Sequence, residues 1–109
     1  MRFENLKNHY QSNRNYLEKR CEALPNQLER KFKNCESYHT SSGCFGMSNY
    51  INIEKQDENG DYIDSITIRI SDHSPTGSGE QCDHYIYIEN KTWSEIKAEA
   101  MKIAEQFLK

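Results

Sequence analysis

The chain of 109 residues is long enough for one domain with a modest core and too short for two. Charged residues make up 28% of it, yet its large apolar side chains fall into periodic segments, which argues against a disordered chain. No apolar stretch approaches the roughly 20 residues that span a bilayer, and Met1–Asn5 turns polar at once instead of opening a signal peptide. These features predict a soluble intracellular protein with no membrane segment.

The net charge of −3 is unevenly distributed along the chain. Residues 1–40 contain eight Lys and Arg against five Asp and Glu, whereas residues 41–90 contain two against nine, a net charge of −7. An acidic region repels a phosphate backbone and complements a basic protein surface. The charge distribution therefore favours a protein partner over nucleic acid for the central region.

The N-terminal part, residues 1–35, is predicted to be helical. Apolar residues three or four apart predict a helix from about Phe3 to Leu24. Pro25 should end that helix and begin a second, short one that runs to about Asn34. The Gly- and Ser-containing residues 36–48 are typical of a loop.

A β-hairpin is predicted around Asn59-Gly60, the preferred centre of a two-residue type I′ turn. Such a turn pairs Ile53 with Ile66 and Ile51 with Ile68 on one face of the sheet. A shift of one residue would mix apolar and polar faces, so the turn and the alternation specify the same register.

A third strand is predicted from Asp83 to Glu89, and Thr92-Trp93-Ser94-Glu95 matches a capping box that begins a last helix. We predict an α+β fold, in which a three-stranded antiparallel sheet in the order α-α-β-β-β-α has its helices packed on one face. The predicted single domain, 1–109, comprises the helical residues 1–35, the antiparallel sheet 49–89 and the C-terminal helix 92–108. The predicted core joins isoleucines of the sheet to the last helix: Ile51, Ile53, Ile66, Ile68, Ile86 and Ile88 against Trp93, Ile96, Ile103 and Phe107.

Cysteine and histidine residues raise the question of a metal site, with Cys35, His39, Cys44, Cys82 and His84 as the candidate ligands. The chain has no Cys-x-x-Cys pair, which structural zinc sites usually show. Buried free thiols are the commoner explanation for cysteines on apolar helix faces. We therefore predict no metal and no cofactor, while the spacing alone leaves zinc open.

Asp72-His73 and Asp83-His84 flank the same loop, where two carboxylates and two imidazoles could converge as in a nuclease. The alternative is that the aspartates cap turns by accepting main-chain hydrogen bonds. Because no basic phosphate clamp accompanies the four residues, we predict no catalytic centre.

The polar face of the predicted sheet gathers tyrosines and an arginine, the residue types enriched at protein interfaces. The predicted partner-binding residues are Tyr50, Arg69, Asp72, His73, Asp83, His84, Tyr85 and Tyr87. Ordinary cross-strand pairing on a solvated face is the alternative. A basic cluster in the helical part could contact RNA directly, through Lys19, Arg20, Arg30, Lys31 and Lys33.

The strand Ile66–Ser74, the polar loop and the Ile-x-Ile strand that Asp83 opens resemble small proteins of phages and mobile elements of low-GC Gram-positive bacteria. Anti-CRISPR proteins that inhibit type II RNA-guided nucleases are among them. The resemblance covers about Asn49 to Trp93, less than half of the chain. It implies a cytoplasmic protein of a bacterial host cell that binds a basic surface of the effector nuclease, or of its guide-RNA complex, and blocks it or limits guide-RNA loading.

An anti-CRISPR binding protein is therefore the leading hypothesis. A small nuclease or RNA-processing enzyme that uses Asp72, His73, Asp83 and His84, and a phage accessory protein with no defence role, are the alternatives. The sequence specifies neither the target protein nor the oligomeric state.

Overall fold

The fold is α+β, with one four-stranded sheet and two helices. The computed structural model describes residues 2–4, 10–41, 48–72 and 82–109, without the side chains of residues 10–13. The elements in chain order are α1 (Tyr10–Lys31), β1 (Cys35–Ser41), β2 (Asn49–Gln56), β3 (Tyr62–Ser71), β4 (His84–Tyr87) and α2 (Trp93–Leu108). Neither α1 nor α2 contains the long apolar stretch that a membrane-crossing helix requires.

The predicted class is confirmed, but two details of the predicted sheet are wrong. The sheet has four strands in the order β1-β2-β3-β4, because residues predicted as loop form the edge strand β1. β4 pairs with β3 in parallel, with Ile70 opposite Ile86, whereas a hairpin had been expected. Parallel neighbours need a connection of about a dozen residues, and residues 72–83 provide one of that length.

α1 is one helix rather than two. It begins at Tyr10, whereas Phe3 lies outside it and exchanges main-chain hydrogen bonds with Asn90 and Lys91. Pro25 lies inside α1, although proline removes a helical hydrogen bond and usually ends or kinks a helix. Leu24 and Leu28, on either side of the proline, are completely buried. Their packing outweighs the cost of the missing bond and carries the helix on to Lys31.

The hairpin register is confirmed, and its turn differs from the prediction. Ile53 pairs with Ile66 and Ile51 with Ile68, as the alternation required. Gly60 has a positive φ of 85°, but Asn59 does not have the positive φ that a type I′ turn needs. The Gly60 N–H instead donates to the Asp57 carbonyl at 3.0 Å. A bulge then restores the register, because Lys55 pairs with Asp64 and Gln56 with Tyr62.

The core lies between the isoleucine face of the sheet and both helices. It contains Ile51, Ile53, Ile68, Ile70, Ile86 and Ile88 from the sheet region, Leu17, Cys21, Leu24 and Leu28 from α1, and Ile96, Ala100 and Ala104 from α2. Ile66, Trp93, Ile103 and Phe107 are partly buried against this cluster, as predicted. The capping box is also confirmed, since the Thr92 hydroxyl accepts from the Glu95 N–H and the Glu95 carboxylate accepts from the Thr92 N–H. The opposite face of the sheet, here called the open face, presents half-buried and exposed side chains away from the core, except for Ser48 and Ser71, which are buried.

Carboxylates cover three main-chain N–H groups along the edges of the sheet. Glu29 accepts from the Ser37 N–H on β1 at 2.8 Å. On the side of β3 that β4 leaves uncovered, Asp64 accepts from the Ser65 N–H and Asp83 from the Thr67 N–H, both at 2.8 Å. Since open strand edges invite pairing with another chain, these bonds protect the sheet from strand addition. At these three N–H groups, a partner protein can therefore contact the sheet edge only through side chains.

Candidate functional site

A row of side chains crosses the open face from β2 to β4. Tyr50 pairs with Arg69, and Arg69 pairs with Tyr85, so the three residues lie side by side on adjacent strands. The Arg69 guanidinium carbon lies 5.7 Å from the centroid of the Tyr50 ring and 5.2 Å from that of Tyr85. Both distances are within the range of cation–π contacts. We call Tyr50, Arg69 and Tyr85 the Tyr/Arg row.

Ser48 fixes the guanidinium of the Tyr/Arg row in place. Its hydroxyl oxygen accepts from Nη2 of Arg69 at 2.8 Å and from Nε at 3.2 Å. Ser48 is buried and also hydrogen-bonds the hydroxyl of Ser71 at 2.9 Å. Arg69 is therefore held by rings on both sides and by a buried hydroxyl, so it loses little conformational entropy when a partner contacts it.

Tyr87 lies next to the row on β4, opposite Ser71. Its hydroxyl donates to a carboxylate oxygen of Glu89 at 2.7 Å. This hydrogen bond is the main cause that raises the pKa of Tyr87 to about 12. An ordinary tyrosine is already neutral at physiological pH, so the consequence of the bond is that the Tyr87 hydroxyl proton is directed at Glu89.

The remaining predicted partner-binding residues do not lie together. Because β4 runs parallel to β3, Asp83 lies beside Thr67, to which it is bound by two hydrogen bonds. Asp72 follows the other end of β3, about 16 Å away for five residues of extended chain. His84 is exposed and pairs with Ile68, on the core side of the sheet. His73 lies outside the described residues.

The nuclease alternative required Asp72 and His73 to converge with Asp83 and His84, and the three of these residues that are described do not lie together. Antiparallel neighbours, as predicted, would bring the end of one strand to the start of the next, whereas parallel strands place those points at opposite ends. Asp83 accepts a main-chain hydrogen bond, as the alternative interpretation proposed, but the donor is the Thr67 N–H of the neighbouring strand and not a residue of its own turn.

Cys35 and His39, two of the candidate metal ligands, have hydrogen-bonding partners within the fold. The Cys35 thiol is directed at the Leu28 and Phe32 carbonyls, at 3.9 and 3.4 Å, and burial raises its pKa. Nε2 of His39 lies 2.8 Å from the side-chain oxygen of Asn49. Within the described ranges no three His, Cys, Asp or Glu side chains are placed to hold a metal ion together. Cys44 falls outside those ranges.

The basic residues of the helical part form two groups rather than one cluster. Lys19 and Arg20 are separated from Arg30 by about 15 Å along the continuous helix α1. The Arg20 guanidinium carbon lies 4.7 Å from the centroid of the Tyr16 ring, on the helical side of the molecule. Lys31 lines an open groove of about 400 Å³ between α1 and α2, together with Lys97, Lys102 and Met101.

Two open-face residues are absent from the prediction, because residues 36–48 have the composition of a loop. Ser48 anchors Arg69, and Tyr38 on β1 is 51% exposed. The alternation of Glu36, Tyr38 and Thr40 with Cys35, Ser37 and His39 is the pattern that could have indicated a strand. This alternation is a weak signal, because neither set of three forms a buried apolar face: of the six residues only Cys35 is buried.

Comparisons of the chain with protein-family models, with curated proteins and with solved structures find no significant match.

Proposed function

We propose that the protein is an anti-defence protein that binds a type II CRISPR effector nuclease and inhibits it. The observation that carries the proposal is the Tyr/Arg row, a fixed arginine between two tyrosines on an open sheet face. Tyrosine and arginine dominate the binding energy of protein interfaces, above all when they are held in place before binding. The resemblance of residues 49–93 to anti-CRISPR proteins supports the same class of partner.

The charge of the open face supports a basic partner surface. Glu36 and Glu54 are direct cross-strand partners on the open face, where two like charges destabilise a sheet. A lysine or arginine of a partner would relieve this repulsion. An effector nuclease offers such cations because its nucleic-acid channel is positively charged.

A second contact, with the guide RNA, is proposed for the groove between the helices. The lysines that line it, Lys31, Lys97 and Lys102, form no ion pair with the described carboxylates, whereas Lys91 pairs with Glu99 at 3.1 Å. Glu105 also lines the groove, so three lysines face one carboxylate there. The excess of positive charge suits a phosphate backbone. The groove lies on the helical side, away from the acidic open face.

The alternative of a small nuclease depended on carboxylates and imidazoles that lie close together, and the described residues do not have that geometry. Asp83 is bound to the main chain of β3, and Asp72 lies about five residues of strand away. A general-base pair needs its groups within hydrogen-bond reach of one reacting atom. Inhibition by binding remains the function that the open face supports best.

A DNA-cleavage assay tests the proposal. Purified protein is added to guide-loaded type II effector nucleases, and guide RNA alone with divalent metal serves as a parallel sample. We expect loss of DNA cutting and intact RNA, whereas RNA cleavage without the effector would support the enzyme. No effect on either substrate would support an accessory protein without a defence role.

Two matched arginine variants locate the contact. Arg69→Gln removes the guanidinium of the Tyr/Arg row, and Arg20→Gln removes one that also stacks on a tyrosine, but on the helical side. We expect Arg69→Gln to raise the inhibitor concentration for half-inhibition at least about tenfold, the effect of an interface hot spot, and Arg20→Gln to leave it unchanged. The reverse order of effects would place the contact on the helices.

A further inference from the structure

The tip of the β2–β3 hairpin exposes two large apolar side chains next to each other. Tyr62 is 61% exposed and Ile63 is 52% exposed, while most large apolar side chains of the described chain are buried or partly buried. Single exposed apolar residues are ordinary, but adjacent ones at a projecting point indicate a contact surface. Residues 62–65 at the start of β3 are all exposed, so neither helix covers this part of the strand.

The bulge explains how Ile63 comes to be presented. Lys55 pairs with Asp64 and Gln56 pairs with Tyr62, so Ile63 is the extra residue without a cross-strand partner. A bulge bends its strand and redirects a side chain. Neither core packing nor a cross-strand pair therefore accounts for an isoleucine at this position.

The charge around the tip specifies the kind of surface that it fits. Residues 57–64 contain four carboxylates, Asp57, Glu58, Asp61 and Asp64, and no lysine or arginine. Asp57 accepts from the Asn59 and Asp61 N–H groups and Asp64 from the Ser65 N–H, so two of the carboxylates are fixed in position. The tip thus combines an apolar point with a rigid acidic surround.

We propose that Tyr62 and Ile63 form an anchor that enters an apolar recess in a basic protein surface. The proposal rests on the proposed function. It adds a further contact, at the hairpin tip, to those proposed for the Tyr/Arg row and for the groove between the helices. The contact is made by side chains, because the Ser65 N–H next to the anchor is already bonded to Asp64. Buried apolar groups slow dissociation, and the surrounding carboxylates speed association.

The test uses a guide-loaded type II effector nuclease that the wild-type chain inhibits. Tyr62→Ser with Ile63→Ser should raise the dissociation constant at least about tenfold, mainly through faster dissociation, with an unchanged melting temperature. Glu58→Gln with Asp61→Asn should slow association and weaken its salt dependence. Glu18→Gln with Glu22→Gln, which neutralises two carboxylates in the middle of α1, is the matched control and should change neither.

The outcomes separate this inference from the proposed function. If the wild-type chain inhibits and the Tyr62/Ile63 variant binds as tightly, the anchor is overturned while the proposed function stands. The same holds if the helix variant slows association as much as the hairpin variant. A wild-type chain that inhibits no effector overturns both.

Discussion

Truncation of Ile68 to alanine tests the packing of the sheet on the helices. Ile68 is completely buried and pairs with Ile51 on one side and His84 on the other. The substitution removes three methyl or methylene groups at about 0.8 kcal/mol each, or about 2.4 kcal/mol. The cavity left behind adds to this figure, and such changes cost about 2–5 kcal/mol. We expect a loss of about 3 kcal/mol in the free energy of unfolding, which lowers Tm by about 12–24 °C in a domain of this size.

Ile63→Ala is the matched control, because it is the same substitution on the same strand at a 52% exposed position. It should change the free energy of unfolding by no more than about 0.5 kcal/mol, the usual limit for surface sites. Urea unfolding followed by circular dichroism measures both variants, and an unchanged denaturant slope shows that the same cooperative unit unfolds. A cost below about 0.5 kcal/mol for Ile68→Ala, or equal costs at the two positions, would refute the register and the core derived from it.

Three further predictions concern single side chains. Tyr85→Ala should weaken inhibition at every salt concentration in cleavage assays, because it removes one of the two rings that hold the Arg69 guanidinium. The far-ultraviolet dichroism should stay unchanged, and full inhibition would contradict the role of the Tyr/Arg row. Glu89→Gln should bring the pKa of Tyr87, raised to about 12 by the hydrogen bond to Glu89, back towards the ordinary tyrosine value in an ultraviolet titration. Hydrogen bonds from the Thr92 main chain and hydroxyl lower the pKa of Glu95, so the stability they contribute is complete above the ordinary glutamate pKa and is lost as pH falls through the lowered value. Glu95→Gln should therefore reduce the fall in Tm that thermal melts record between pH 6 and pH 2.

The sequence by itself determined the hairpin register, the isoleucine face and the start of α2. These features depend on local patterns: alternation with a period of two, a Gly at the turn, and Thr92 with Glu95 three residues later. Because a one-residue slip would turn every isoleucine to solvent, the pattern specifies the register even though the turn type differs. The grouping of Tyr50, Arg69 and Tyr85 on one face follows from the same alternation.

Tertiary structure decided the features that depend on what lies beside a segment. Packing of Leu24 and Leu28 keeps α1 intact through Pro25, and pairing with β2 makes a strand of the polar residues Cys35–Ser41. The direction of β4 is the most consequential of these features, since an alternating strand has the same pattern whether it pairs in parallel or antiparallel. The direction is visible only in the assembled sheet, where β4 runs parallel to β3 and Asp83 lies beside Thr67 instead of beside Asp72. The sequence could therefore name the residues of the Tyr/Arg row, but the direction of one strand decided that Asp72 and Asp83 lie apart.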